Sequence, residues 1–299
     1  MQGYLHPFYA QSFSEIGEPI FLPKSRGWLI KRKIPGTQYY DAMGPYPLFF
    51  CENWDDLTDD LENLKGQIIS VSFVINPFPI NLNDNFKYYF DVYYAYKDHY
   101  ILDLSIPLNQ SISKSRRKDA RRALRNISIE IKSTQEIDVY EWEELYRNLI
   151  DRHNIKGIRS FSHESFRKQL SIPDIYYFRG LNKGEIVGGN LFIIQNNVAY
   201  YHLSAQIDIG YKLDTSYAIM WSAIEFLSEK VKWLNLGGTT NFSSNEKSGL
   251  DQFKNGWSSG TAPSFFCGKI LNKNLYIELL KSKNLTDNAW FPVYRKNEF

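Results

Sequence analysis

The stretch from Trp233 to Gly260 constrains this chain more than any other. It opens on a short apolar strand, Trp233-Leu234-Asn235-Leu236, that ends abruptly at Gly237-Gly238. Two residues without Cβ atoms let backbone N–H groups approach a ligand closely. After a polar loop the chain returns as Gly249-Leu250-Asp251-Gln252-Phe253-Lys254, which predicts a short helix bringing Phe253 and Lys254 back toward the strand end. Backbone donors and one lysine at the end of a buried strand suit an anionic group or a developing oxyanion. A tight strand-to-helix turn with a solvated lysine uses the same residues, so the pattern alone leaves both readings open.

With 299 residues the chain is too long for one ordinary core and fits two domains. A 43% hydrophobic content is enough to bury a large interior, and a net charge of +2 gives no global electrostatic case for DNA or a membrane surface. Cys51 and Cys267 are far apart and lack metal-like spacing, so they read as small core residues in a reducing compartment. No charged-then-apolar leader and no apolar run of membrane-spanning length is present, which makes the cytoplasm the expected location. The sequons Asn109-Gln110-Ser111 and Asn241-Phe242-Ser243 then carry little weight.

Residues 1–110 read as a mixed α/β lobe. Trp28–Arg32 and Gln67–Ile75 have strand character, Leu57, Leu61 and Leu64 have helical spacing, and Tyr88–Ala95 and His99–Leu104 read as two strands around a Tyr96-Lys97-Asp98 turn. A second lobe, 111–284, begins with a basic helix from Lys114 to Arg125, on which Arg117, Arg121 and Arg125 repeat at i, i+4. Such a stripe either grips phosphates or is a solvated first helix. Ile127–Lys132 then reads as a strand, followed by helices at Thr134–Arg152 and His163–Leu170. The strands Tyr176–Leu181, Ile186–Ile194 and Val198–Ser204 form a meander, and Asp214 or Thr215 caps the apolar helix after it. Ser264–Leu271 supplies a last strand, and the tail, 285–299, is expected to pack on the first lobe.

Basic helix, meander, helix, a strand ending Leu236-Gly237-Gly238 and then Phe253-Lys254 together resemble the FemABX-like branch of the GNAT acyltransferase superfamily. The resemblance is carried by Tyr40–Leu48, Val71–Pro77, Tyr201–Ser204 and Leu234–Lys254, and spans most of the chain. It implies an α/β fold of two tandem GNAT-like lobes with mixed sheets and an inter-lobe cleft. The second lobe would hold an activated acyl donor and the first an acceptor amine. It implies an N-acyltransferase acting on an amine of an envelope glycan or peptide precursor, with acyl-CoA as cosubstrate and no tightly bound cofactor. The segment Ile209–Thr215 holds one glycine, fewer than the pyrophosphate-binding turn of an acyl-CoA enzyme. Transfer from aminoacyl-tRNA to a peptidoglycan precursor is therefore the alternative, and a non-catalytic glycan- or nucleotide-binding module is a third reading.

The resemblance places Phe253 and Lys254 at the donor, with the lysine beside the tetrahedral oxyanion. The backbone of Gly237, Gly238 and Thr239 and the guanidinium groups of Arg117 and Arg121 complete the donor-binding set. Acyl transfer also needs the amine deprotonated. His202 suits that by its near-neutral pKa, or is simply hydrogen-bonded within the fold. Asp41 either holds an acceptor ammonium or takes its proton, or is a turn residue before Gly44-Pro45. Trp28, Tyr46, Tyr201 and Asn190 are the acceptor-side candidates, the aromatics among them being equally suited to core packing. No metal ligand set is expected.

Overall fold

The computed structural model describes residues 1–78, 86–239, 248–285 and 290–296. Its strands are β1 (Glu18–Leu22), β2 (Gly27–Lys33), β3 (Tyr40–Met43), β4 (Ser70–Ile75), β5 (Val92–Asp103), β6 (Ser128–Ser133), β7 (Ile175–Asn182), β8 (Glu185–Gln195), β9 (Val198–Gln206), β10 (Trp233–Gly238) and β11 (Gly260–Ile270). They form one mixed sheet in the order β1-β2-β3-β4-β11-β5-β10-β9-β8-β7-β6. Neighbours are antiparallel except β3 with β4 and β9 with β10, which are parallel.

That order repeats one plan twice. A three-strand meander (β1-β2-β3, then β7-β8-β9) leads into a helix and then into a strand parallel to the third. The crossover helices are Leu57–Asn63, buried through Leu57 and Leu61, and Thr215–Ser228, buried through Ala218, Ile219, Met220, Ala223, Ile224 and Leu227. Each lobe is then completed by a strand from the other part of the chain. β5, which follows β4 in sequence, pairs with β10, whereas β11, which follows β10, pairs with β4. β5 and β11 also pair with each other, so the hydrogen-bonded sheet is continuous across both lobes.

β5 corrects one expectation. Tyr96-Lys97-Asp98 is no turn, because Lys97 and Asp98 stand opposite Ser264 and Pro263 of β11, and the Asp98 carbonyl accepts the Thr239 N–H at 2.9 Å. Hydrogen bonding along both edges holds these polar residues extended despite their turn-like composition. Tyr294 near the C-terminal end packs with Ile34 and Ile69 of the first lobe. Cys51 and Cys267 are buried and unpaired, and burial pushes both thiols up. Among the described residues no helix is long and apolar enough to cross a membrane. The second sequon, Asn241-Phe242-Ser243, lies outside the described residues.

Candidate active site

β9 and β10 run side by side only from Val198 to Tyr200 and from Trp233 to Asn235. Beyond that point no backbone hydrogen bond joins them among the described residues, and the parallel strands part into a wedge. Both carry a bulge there. On β9 the register against β8 shifts at His202, between the pairs Leu191↔Leu203 and Phe192↔Tyr201. On β10 it shifts against β5 between Asn235↔Ile101 and Gly238↔His99, with Gly237 at φ +86°. A bulge adds one residue and re-aims those around it, which is how a regular sheet opens an edge without unfolding. Tyr201 to Ser204 are accordingly half-buried where the flanking β9 residues are buried.

The helix Gly249–Trp257 brings Lys254 to the bulged end of β10. Ser248 starts that helix: its hydroxyl oxygen accepts the Asp251 N–H at 3.1 Å and its O–H donates to the Asp251 carboxylate at 2.8 Å. Lys254 is buried, and its Nζ donates to the Gly238 carbonyl at 2.8 Å. An ammonium has three N–H donors, so two remain without an acceptor among the described residues. Burial lowers the Lys254 pKa to about 8, with Lys97 acting in the same direction and Asp251 against it. A Cβ on Gly237 would sit 3.3 Å from this Nζ, so the glycine leaves the ammonium uncovered on that side.

His99 stands beside it. Asn235 Oδ1 accepts the Gly237 N–H at 2.8 Å, which fixes the amide's orientation, and lies 3.1 Å from His99 Nδ1. Nδ1 therefore carries the imidazole proton and Nε2 presents a lone pair. Burial lowers the His99 pKa to about 4; the Asn235 contact opposes this, and Lys254 and Lys97 reinforce it. The imidazole is neutral at pH 7. Nothing in the sequence marks His99, Lys97 or Asn235 as functional, because Tyr96-Lys97-Asp98 has the composition of a turn and His99 directly follows it.

Gly237 and Gly238 lie at Lys254, whereas the Thr239 N–H is spent on the Asp98 carbonyl of β5. Phe253 is half-buried with its ring edge-on to Tyr217, centroids 5.4 Å apart. Tyr201, on β9 just past its pairing with β10, is stacked on Phe192 of β8. Arg117 and Arg121 are not brought to Lys254: Arg117 donates to the Asn109 carbonyl at 3.3 Å, and Arg121 is exposed and acts on the carboxyl of Glu225. Their neighbour Arg116 reaches the backbone of the Gly249–Trp257 helix, donating to the Tyr217 hydroxyl at 2.6 Å and to the Gln252 carbonyl at 3.4 Å. Asn190, two strands from β10, is fully buried, and both ends of its amide lack a partner among the described residues.

Three candidates depart from the expectation. His202 is pulled into the core by the bulge, its Nδ1 3.2 Å from the Tyr4 hydroxyl and its Nε2 3.1 Å from Gln169 Oε1. Both nitrogens are engaged, so neither is available to take a proton, and burial lowers its pKa to about 3. Asp41 receives Arg295 on both oxygens, at 2.8 and 2.9 Å, with Arg32 at 3.4 Å from Oδ1, which leaves no room for an acceptor ammonium. It anchors the C-terminal segment. Trp28 packs on Phe21 at the outer edge of the sheet, centroids 5.0 Å apart. Five strand steps separate β2 from β10, about 24 Å along the sheet. Tyr46 is half-buried, takes the Tyr9 hydroxyl on its backbone carbonyl, and has its phenol pKa raised by burial and lowered by Arg159. Two surface hollows, of about 480 Å³ beside Ser133–Gln135 and of about 140 Å³ beside Gln38–Tyr40, are lined by none of the candidate residues.

No protein-family model and no curated protein matches the chain. Solved structures do. The structure of FemX is 14% identical with a TM-score of 0.64, covering 91% of this chain and 93% of that one. The C-terminal DUF2156 domain of a putative lysylphosphatidylglycerol synthetase from Agrobacterium fabrum is 14% identical with a TM-score of 0.65, covering 94% of each. L-PGS from Bacillus licheniformis is 12% identical with a TM-score of 0.63, covering 95% and 98%. The fold is FemABX/GNAT-like, as the resemblance implied.

Proposed function

We propose that this protein is an acyltransferase that moves an aminoacyl group from an ester donor to an amine, with the donor carbonyl seated where β9 and β10 part. One observation carries the reading: where β10 bulges at Gly237-Gly238, past its parallel pairing with β9, stands a buried ammonium that makes one hydrogen bond among the described residues, to the Gly238 carbonyl. The amine nitrogen attacks the carbonyl carbon, the C–N bond forms, and the carbonyl oxygen becomes an oxyanion within reach of Lys254 Nζ. Collapse breaks the C–O bond to the leaving hydroxyl, which takes up the proton the amine has lost. Lys254 stabilises the charge only as it develops, so it acts on the transition state more than on the bound ester.

An ester donor is favoured over acyl-CoA by the start of the Thr215–Ser228 helix. Thioester donors of this fold class set their pyrophosphate on free amides at such a helix start. Here Asp214 precedes the helix, its carboxylate 2.9 Å from Arg122, and Thr215 is fully buried. The name of the Agrobacterium fabrum relative specifies an aminoacyl product as well. The acceptor supplied by the resemblance is an amine of an envelope glycan or peptide precursor.

The test offers lysyl-tRNA, alanyl-tRNA and acetyl-CoA separately, with hydroxylamine as the nucleophile. RNase-sensitive hydroxamate formation, lost in Lys254→Met, is the expected result. Transfer from acetyl-CoA alone makes the protein an acyl-CoA enzyme, and no transfer from any donor overturns the assignment.

A further inference from the structure

The proposed reaction leaves one step without a residue. The attacking amine must shed a proton, and the two groups that composition offered for this, His202 and Asp41, are saturated within the fold. His99 is not. Its Nδ1 is committed to Asn235, while Nε2 has no hydrogen-bond partner among the described residues. It pairs with Gly238 across the β5–β10 ladder, and a Cβ on Gly238 would lie 3.2 Å from Nε2. The Gly-Gly step thus bares two nitrogens at once, the ammonium of Lys254 under Gly237 and the imidazole lone pair of His99 under Gly238. One is a donor suited to a carbonyl oxygen; the other is an acceptor suited to an N–H.

Resting on the acyl-transfer reading above, we propose that His99 Nε2 accepts the proton of the attacking amine, in a tautomer held by Asn235. An amine N–H is a poor acid before attack, and becomes a strong one once C–N bond formation leaves the nitrogen cationic. A weak base is then sufficient. Burial, reinforced by the cations Lys254 and Lys97, keeps the imidazole unprotonated in the resting site, so the lone pair is available when the amine arrives. Asp251, which acts on both lysines, limits that field. The proton passes from the amine to Nε2 as the oxyanion forms beside Lys254, and from the imidazolium to the departing ester oxygen as the C–O bond breaks. Charge and atoms balance within the site, with no further reactant.

The test separates this step from the acyl-transfer assignment. In the full chain labelled with 15N-histidine, imidazole spectra assigned with His99→Phe are expected to show His99 as the Nδ1–H tautomer at pH 7. Its Nε2 resonance is expected to shift when glycinamide is added as an amine probe, and Asn235→Leu is expected to abolish the tautomer preference. An Nε2–H tautomer, or an Nε2 resonance that glycinamide leaves unmoved, overturns the proposal whether or not any donor is turned over. With a donor that the wild type uses, His99→Phe is expected to lower aminolysis by glycinamide about 100-fold while donor binding is retained. Lys254→Met instead lowers both aminolysis and the slow hydrolysis of donor. Should His99→Phe fail to fold, Asn235→Leu is read in its place. Aminolysis at wild-type rate in either variant sinks the step and leaves the transferase assignment standing.

Discussion

Between β3 and β4, as between β9 and β10, two parallel strands pair for a few residues and then part. In the first gap the chain closes the opening itself. Gly44 donates to the Ser72 carbonyl at 2.9 Å; the chain then detours through Pro45 to Leu48 and returns to β4, where Phe49 donates to Val74 at 2.7 Å and bridges Ile75. The Phe49 ring is wholly buried and packs on Phe73, centroids 4.4 Å apart. In the second gap no described segment does this, and Tyr201 to Ser204 stay half-buried, as do Gly237 and Gly238. One architecture built twice therefore yields a packed core in one lobe and an unpaired edge beside a buried lysine in the other. What marks the second as a site is spare hydrogen-bonding capacity. Burial of a titratable group alone does not, since Asp41 and His202 are both such groups and have their hydrogen-bonding capacity filled.

The sharpest way to break that contrast is Phe49→Ala. If the first gap is a core, emptying it costs about 3–5 kcal/mol, read as a fall in Tm and in the urea midpoint; an unchanged midpoint removes the contrast from that side. On the other side, Lys254→Met is expected to lower transfer about 100- to 1,000-fold and yet raise Tm. Lys254 has its pKa lowered from 10.5 to about 8 in the folded state. The unfolded chain therefore binds more protons between those values, and stability rises as pH climbs from 8 toward 10.5. Below 8 the burden of the buried charge is fully present, up to about 3 kcal/mol, and methionine removes it. Transfer by the wild type is expected to fall as pH rises through 8, where the ammonium is lost.

Gly237→Ala probes the bared nitrogen directly. At φ +86° a side chain costs on the order of 1–3 kcal/mol, and the added methyl lies 3.3 Å from Nζ. Both Tm and transfer are expected to drop, whereas a loss of stability with full activity would mean the ammonium is approached from elsewhere. The smallest effect is expected at the saturated histidine. His202 and His99 have their pKa lowered from 6.5 to about 3 and about 4. Both are neutral in folded and unfolded chains above 6.5, and as pH falls below it the unfolded chain takes up protons the native state refuses. Stability is lost on that side. His202→Gln is expected to flatten part of this acid dependence in Tm measured from pH 7 to pH 4, and to leave transfer at pH 7 unchanged; a large loss of transfer would return His202 to the chemistry.

The local patterns were legible because their causes are local. The meander, the apolar helix after Asp214, the abrupt Gly237-Gly238 break and the return through Phe253-Lys254 each follow from periodicity, turn residues or a cap within a few positions. Their order was enough for the FemABX/GNAT-like resemblance. Lys97 and His99 stayed hidden for a related reason. Tyr96-Lys97-Asp98 has the composition of a turn, and only pairing with β11 on one edge and β10 on the other makes it strand.

By itself, then, the sequence determined the second lobe's meander and the apolar helix after it, and that a lysine returns to a strand ending in two glycines. Tertiary structure alone decided that β5 and β11 change places between the lobes, that one parallel gap is plugged and the other left open, and which histidine keeps a free lone pair. Each of those outcomes depends on hydrogen bonds between residues often more than a hundred positions apart, such as His99 with Asn235 and Asp41 with Arg295. Such partners are chosen by the packing of the whole sheet, and no window along the chain contains both.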